Sequence, residues 1–115
     1  MFRFESLDIW KLAVLFVSDI FRVVKQLPKE AQWDLGSQLR RAVLSISNNI
    51  AEGSGSSSSV EFKSFLNYSV RSTYEAVSML FIMRDNQYID SNLFSKLYDQ
   101  AELLVKKIRT FRNHL

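Results

Sequence analysis

The sequence predicts an all-α fold, an antiparallel up-down-up-down four-helix bundle, and three observations carry that prediction. Gly and Pro are scarce, three and one in 115 residues, and residues 1–27 and 56–115 contain neither. An all-β chain would need a turn signal every ~8–12 residues. Apolar residues recur at helical 3–4 spacing along four segments with short breaks between them. Hydrophobic residues at 47% and charged residues at 23% are near globular norms, which excludes a disordered tail and a coiled-coil rod. The chain, 1–115, fits one domain at the usual ~100–200 residues per domain.

The first helix is expected over about Ser6–Leu27. Two neighbouring apolar stripes run along it: Trp10, Val14, Val17, Phe21 and Val24, and Ile9, Ala13, Phe16, Ile20, Val23 and Leu27. Together they make a face wider than a coiled-coil seam. Pro28 ends this helix or begins the next turn, because it cannot donate a backbone hydrogen bond.

The second helix is expected from about Asp34 to Glu52, with room for one helical turn at Lys29–Trp33 ahead of it. Its core stripe is Leu35, Leu39, Ala42, Ile46 and Ile50. A polar stripe, Gln38, Arg41, Ser45, Asn49 and Glu52, follows a second face. Gly53 is placed to stop the helix, and Gly53–Ser59 reads as a Gly/Ser loop.

The third helix, about Ser59–Arg84, opens on a capping-box pattern of Ser58 with Glu61. Its apolar residues fall on several faces. Asp90 is the expected N-cap of the fourth helix, whose stripe is Leu93, Leu97, Ala101, Leu104, Ile108, Phe111 and Leu115. Helices of ~19–26 residues would be ~30–39 Å long, and short connections make neighbours antiparallel. The wide faces of helices one and three either fill the bundle core or bury a further face against another subunit, and a homo-oligomer is the favoured reading.

Residue types exclude much chemistry. With no Cys there is neither a disulfide nor a thiolate metal site, and His114 alone cannot supply a two-histidine site. The chain holds no phosphate-binding glycine loop, no nucleophile elbow and no Glu-x-x-His pair. A non-enzymatic protein with no cofactor and no metal is expected. No uncharged stretch approaches the ~20 apolar residues that span a bilayer, and no export signal is visible, so the expected location is cytoplasmic, with no membrane partner.

Fifteen Lys and Arg against twelve Asp and Glu give +3, which permits a polyanionic partner without demanding one. The last ten residues hold Lys106, Lys107, Arg109 and Arg112 and no acid. They either complement a helix dipole or form a phosphate-binding patch. Arg40 and Lys63 are further candidate phosphate contacts. For the polar stripe the favoured reading is a hydrogen-bonded network between helices or subunits. A ligand site around Arg41 and Glu52 is the weaker one.

The run Gln38-Leu39-Arg40-Arg41-Ala42-Val43-Leu44-Ser45-Ile46, followed by Asn49-Ile50-Ala51-Glu52-Gly53, resembles the signature of a bacterial four-helix-bundle family. Its members include proteins encoded by intervening sequences inside large-subunit ribosomal RNA genes. The accessory variability proteins of diversity-generating retroelements are similar. Phe4–Ala13, Leu27–Glu30, Glu61-Phe62, Phe65-Leu66, Ser72 and Glu75 extend the resemblance over nearly the whole chain. Departures are Ser47-Asn48 where the family usually has Pro-Ser, Ser56 where it often has a basic residue, and Arg71 where it usually has Gly. The resemblance implies a ring-shaped homo-oligomer, a homopentamer. It also implies a nucleic-acid role, with RNA or DNA bound non-specifically, and a reverse transcriptase as partner if the gene lies in a retroelement. A protein-interaction scaffold with no nucleic-acid role is the alternative.

Overall fold

The computed structural model describes residues Met1–Leu115, and four long helices and no strand make up the chain. A single 3-10 turn, Arg3–Ser6, leads into α1, Asp8–Lys25. Pro28 then caps a short helical turn, Lys29–Ala31. A π-helical turn, Gln32–Gly36, joins it to α2, Ser37–Ser54. The third helix, α3, is Ser59–Asp85, and the fourth, α4, is Ser91–Asn113.

Both expected N-caps form, although at Ser58 only half of the capping box does, with no return bond from the Glu61 side chain. Ser58 Oγ accepts from the Glu61 amide at 3.1 Å, and Asp90 Oδ1 accepts from the Leu93 amide at 2.7 Å. Each satisfies one of the amides a helix start leaves without a partner.

Gly53 is a correction. It does not stop α2 but lies buried inside it, and Gly55 is the C-cap. A Cβ at Gly53 would come within 2.7 Å of Phe62 Cδ1 and Phe65 Cβ, so this glycine serves a close approach of two helices.

The α3–α4 turn has neither Gly nor Pro, yet it is a Schellman motif. Gln87 takes φ 65, its amide donates to Arg84 O at 3.0 Å, and the Tyr88 amide donates to Met83 O at 2.8 Å.

α1 packs on α2 and α4, and α3 packs on the same two helices. Along α2 and α3, Gly53 meets Phe62, Ser69 Oγ donates to Ile46 O at 2.8 Å, and Ser72 Oγ donates to Ser45 Oγ at 2.8 Å. Numbers rise on one helix as they fall on the other. The same reversal holds between α3 and α4, from Phe62 on Phe111 to Phe81 on Phe94.

The core lies between the four helices and includes Phe16, Ile20, Leu39, Ile46, Ile50, Phe62, Leu66, Leu80, Leu97, Leu104 and Ile108. On α1 only one of the two stripes is central. Ile9, Ala13, Phe16, Ile20, Val23 and Leu27 are buried, whereas the other stripe is half-buried at the edge along Trp10, Val14, Val17 and Phe21 and enters the core only at Val24. On α3, Ser69 and Thr73 are fully buried; their hydroxyls donate to Ile46 O and to Ser69 O, so neither is an unpaired polar group.

Candidate nucleic-acid interface

Helix α4 distributes its cations by simple rotation. Adjacent residues on a helix point about 100° apart, so Lys106 and Lys107 serve different faces. Lys106 lies on the groove between α3 and α4, with Tyr74, Val77, Tyr98, Glu102 and Arg109. Lys107 lies on the other side, in a shallow cleft with Asp8, Lys11, Leu12 and Leu15 of α1. The C-terminal run, continuous in sequence, is two surfaces in space.

Arg109 and Arg112 are both tied to α3. Arg109 Nη2 donates to the Tyr74 hydroxyl at 3.3 Å, and its guanidinium sits 5.7 Å from the Tyr74 ring centroid. Arg112 Nη1 donates to Asn67 Oδ1 at 2.7 Å. Lys63 is half-buried and lies one turn from Asn67 on α3, on the same face. Lys63, Arg112, Arg109 and Lys106 therefore follow one line along the α3–α4 groove. Lys63 to Tyr74 covers roughly 16 Å of helix at 1.5 Å per residue.

Arg40 stands apart from that line. It is half-buried on α2, 6.0 Å from the Phe21 ring centroid, and Nη2 donates to Gln32 Oε1 at 3.5 Å.

None of these six cations is in an ion pair. The chain's two ion pairs are Arg22 with Asp19, at 2.6 Å, and Arg84 with Asp85, at 3.2 Å. The helix dipole accounts for Arg112, which lies in the last turn of α4. Its influence fades within that turn, so it does not account for Lys106, Lys107 or Arg109.

The polar stripe of α2 is joined only in its middle. Asn49 Nδ2 donates to Ser45 O at 2.8 Å and to Ser45 Oγ at 3.0 Å, and Ser72 of α3 extends the chain. Gln38, Arg41 and Glu52 are exposed and have no side-chain hydrogen bond or ion pair within the chain. Gln38, Arg41 and Ser45 face Ser72 and Glu75 across a shallow polar cleft.

Tyr74 is the residue sequence reasoning missed. It is 58% exposed, on a helix whose apolar residues blur every face. The available signal was its position off the buried line Phe62, Leu66, Val70, Ala76, Leu80. Three or more His, Cys, Asp or Glu side chains gather nowhere in a way that would hold a metal ion.

A family model described as 23S rRNA-intervening sequence protein matches residues 5–110. The chain belongs to that family.

Among solved structures, the chain is similar to a protein of unknown function from the S23 ribosomal protein family of Bacteroides thetaiotaomicron VPI-5482. The TM-score is 0.85 at 19% identity, over 90% of this chain and 97% of that one. At that identity the likeness speaks for the fold alone. No curated protein matches the sequence. No helix of the chain is long and apolar enough to cross a membrane.

Proposed function

We propose that the protein is a non-enzymatic, cytoplasmic bundle that binds RNA or DNA with little sequence preference, through Lys63, Lys106, Arg109 and Arg112 along the α3–α4 groove, with Lys107 and Arg40 on flanking surfaces. The observation that carries this reading is that all six cations lack a carboxylate partner. Cations whose charge no carboxylate neutralises keep it for phosphates, and phosphate contacts carry affinity without reading sequence.

An up-down-up-down bundle assembling into a ring, a homopentamer, completes the proposal. Support comes from the reversed pairing of α2 with α3 and of α3 with α4, and from two surfaces that the chain's own packing covers only in part or not at all. One is the half-buried stripe Trp10, Val14, Val17 and Phe21; the other is the exposed set Gln38, Arg41 and Glu52. A ring needs two different faces on each protomer, since its interface is heterologous.

The test is the triple variant with Lys106, Lys107 and Arg109 changed to Glu, measured by fluorescence anisotropy on labelled RNA and DNA. Most affinity should be lost, while circular dichroism and light scattering stay at parental values. A triple variant that binds like the parent reduces the C-terminal run to a solvated helix end. A parent that binds neither polymer at about 50 mM salt, where such contacts are strongest, leaves the protein-interaction scaffold in place of this reading.

A further inference from the structure

The groove between α3 and α4 has a volume of about 520 Å³, within the ~300–1,000 Å³ of pockets that hold organic ligands. Its composition is unusual for a surface that only needs to attract phosphate. Apolar and aromatic side chains, Val77, Tyr98, Ala101 and Val105, line the groove together with Tyr74 and the cations Lys106 and Arg109. Tyr74 is more than half exposed although it sits at the contact of two helices. Its ring is held from one side by the Arg109 guanidinium, and its hydroxyl is fixed by the same side chain.

An exposed, oriented aromatic ring flanked by unpaired cations is the arrangement that takes single-stranded nucleic acid. Bases stack on aromatic rings and on guanidinium planes, while the backbone follows the positive charge. A duplex keeps its bases stacked on one another and presents only phosphates to such a groove. Charge complementarity favours this occupant. Glu102 is the one acid lining the groove, against Lys106 and Arg109, with Arg112 and Lys63 continuing the line beyond Asn67.

We infer that the α3–α4 groove binds a single-stranded segment of RNA or DNA, with an unpaired base stacked on Tyr74 and the adjoining phosphates on Lys106, Arg109 and Arg112. This rests on the nucleic-acid reading above and deepens it: phosphates give the affinity, and Tyr74 gives the preference for single strands. Arg109 has two parts in it. It holds the ring in place and offers its remaining N–H groups to phosphate.

The test uses the full chain and three labelled probes at about 50 mM salt: a twelve-nucleotide oligo-uridine, the same length of abasic backbone, and a twenty-base-pair duplex. The parent should bind oligo-uridine roughly tenfold more tightly than the abasic strand, as one stacked base predicts. Tyr74→Ala should bring oligo-uridine down to the level of the abasic strand measured with the same variant. Tyr74→Phe, which keeps the ring and loses the hydroxyl, should restore most of the preference.

Tyr74 is exposed, so these variants should retain parental circular dichroism. A variant with altered helicity is replaced by the parent's own comparison of oligo-uridine with the abasic strand. Equal affinity for those two strands, or a Tyr74→Ala variant that keeps the preference, overturns the stacking inference while duplex and abasic binding keep the phosphate reading alive. No binding to any probe overturns both.

Discussion

Gly53 occupies a place where a methyl group has no room, because both Phe62 and Phe65 stand 2.7 Å from where its Cβ would be. Gly53→Ala should therefore destabilise the protein by about 1–3 kcal/mol, the usual range for overpacking. The midpoint of urea unfolding reads this directly, and an unchanged midpoint would mean that α2 and α3 separate at little cost. Gly55 is the contrasting position. Its φ of −86 suits any residue, and a Cβ there would meet only Glu52 O, at an ordinary 3.4 Å. Gly55→Ala should be neutral or stabilise by up to ~1 kcal/mol, by restricting the unfolded chain. Gln87 reverses the argument. It holds a left-handed conformation at φ 65, which costs a side-chain-bearing residue about 1–2 kcal/mol. Gln87→Gly should raise the same midpoint. A lowered one would show that the Gln87 side chain contributes more than its backbone strain costs.

At the scale of elements, the helices were legible because periodicity and caps agree. Asp90 and Ser58 announce α4 and α3, and the four segments read from the sequence match the four helices closely. Three things were not legible, each for a physical reason. Gly53 has the sequence context of a helix stop, and only the proximity of α3 explains its place inside α2. The α3–α4 turn is made by a glutamine in a conformation that glycine usually supplies, so no residue marks it. The two stripes of α1 are equally apolar in sequence, and which one is central depends on where α2 and α4 lie. That last difference makes a prediction. Ile20→Ala, in the core, should cost about 2–5 kcal/mol, and Val14→Ala, on the half-buried stripe, clearly less in the dissociated chain. Equal costs in chemical unfolding of the monomer would mean that the stripe at the edge is as much core as the other. The candidate site was half legible. Clustered Lys and Arg stand out in a sequence, but their division between two faces and the approach of Tyr74 to Arg109 depend on packing.

At the scale of the whole molecule, the proposed ring multiplies what one chain carries. A chain of +3 is weakly basic, whereas five of them would carry +15, enough for a field that draws polyanions to the surface. Light scattering at micromolar concentration should give about five times the 13.4 kDa of the chain. Glu52→Gln should lower that mass and leave helical content unchanged, because Glu52 has no partner within its own chain. A monomer at high concentration, or a Glu52→Gln variant that assembles normally, would remove the ring or this residue's part in it.

The most direct test of the central claim, that unpaired cations bind phosphates, is the salt dependence of nucleic-acid affinity. Each phosphate neutralised on a single strand contributes about −0.7 to the slope of log K against log salt. Engagement of the four groove cations predicts a slope of about −3 for each bound segment between roughly 50 and 200 mM salt. Affinity that stays flat across that range, or no affinity at its low end, would contradict the account.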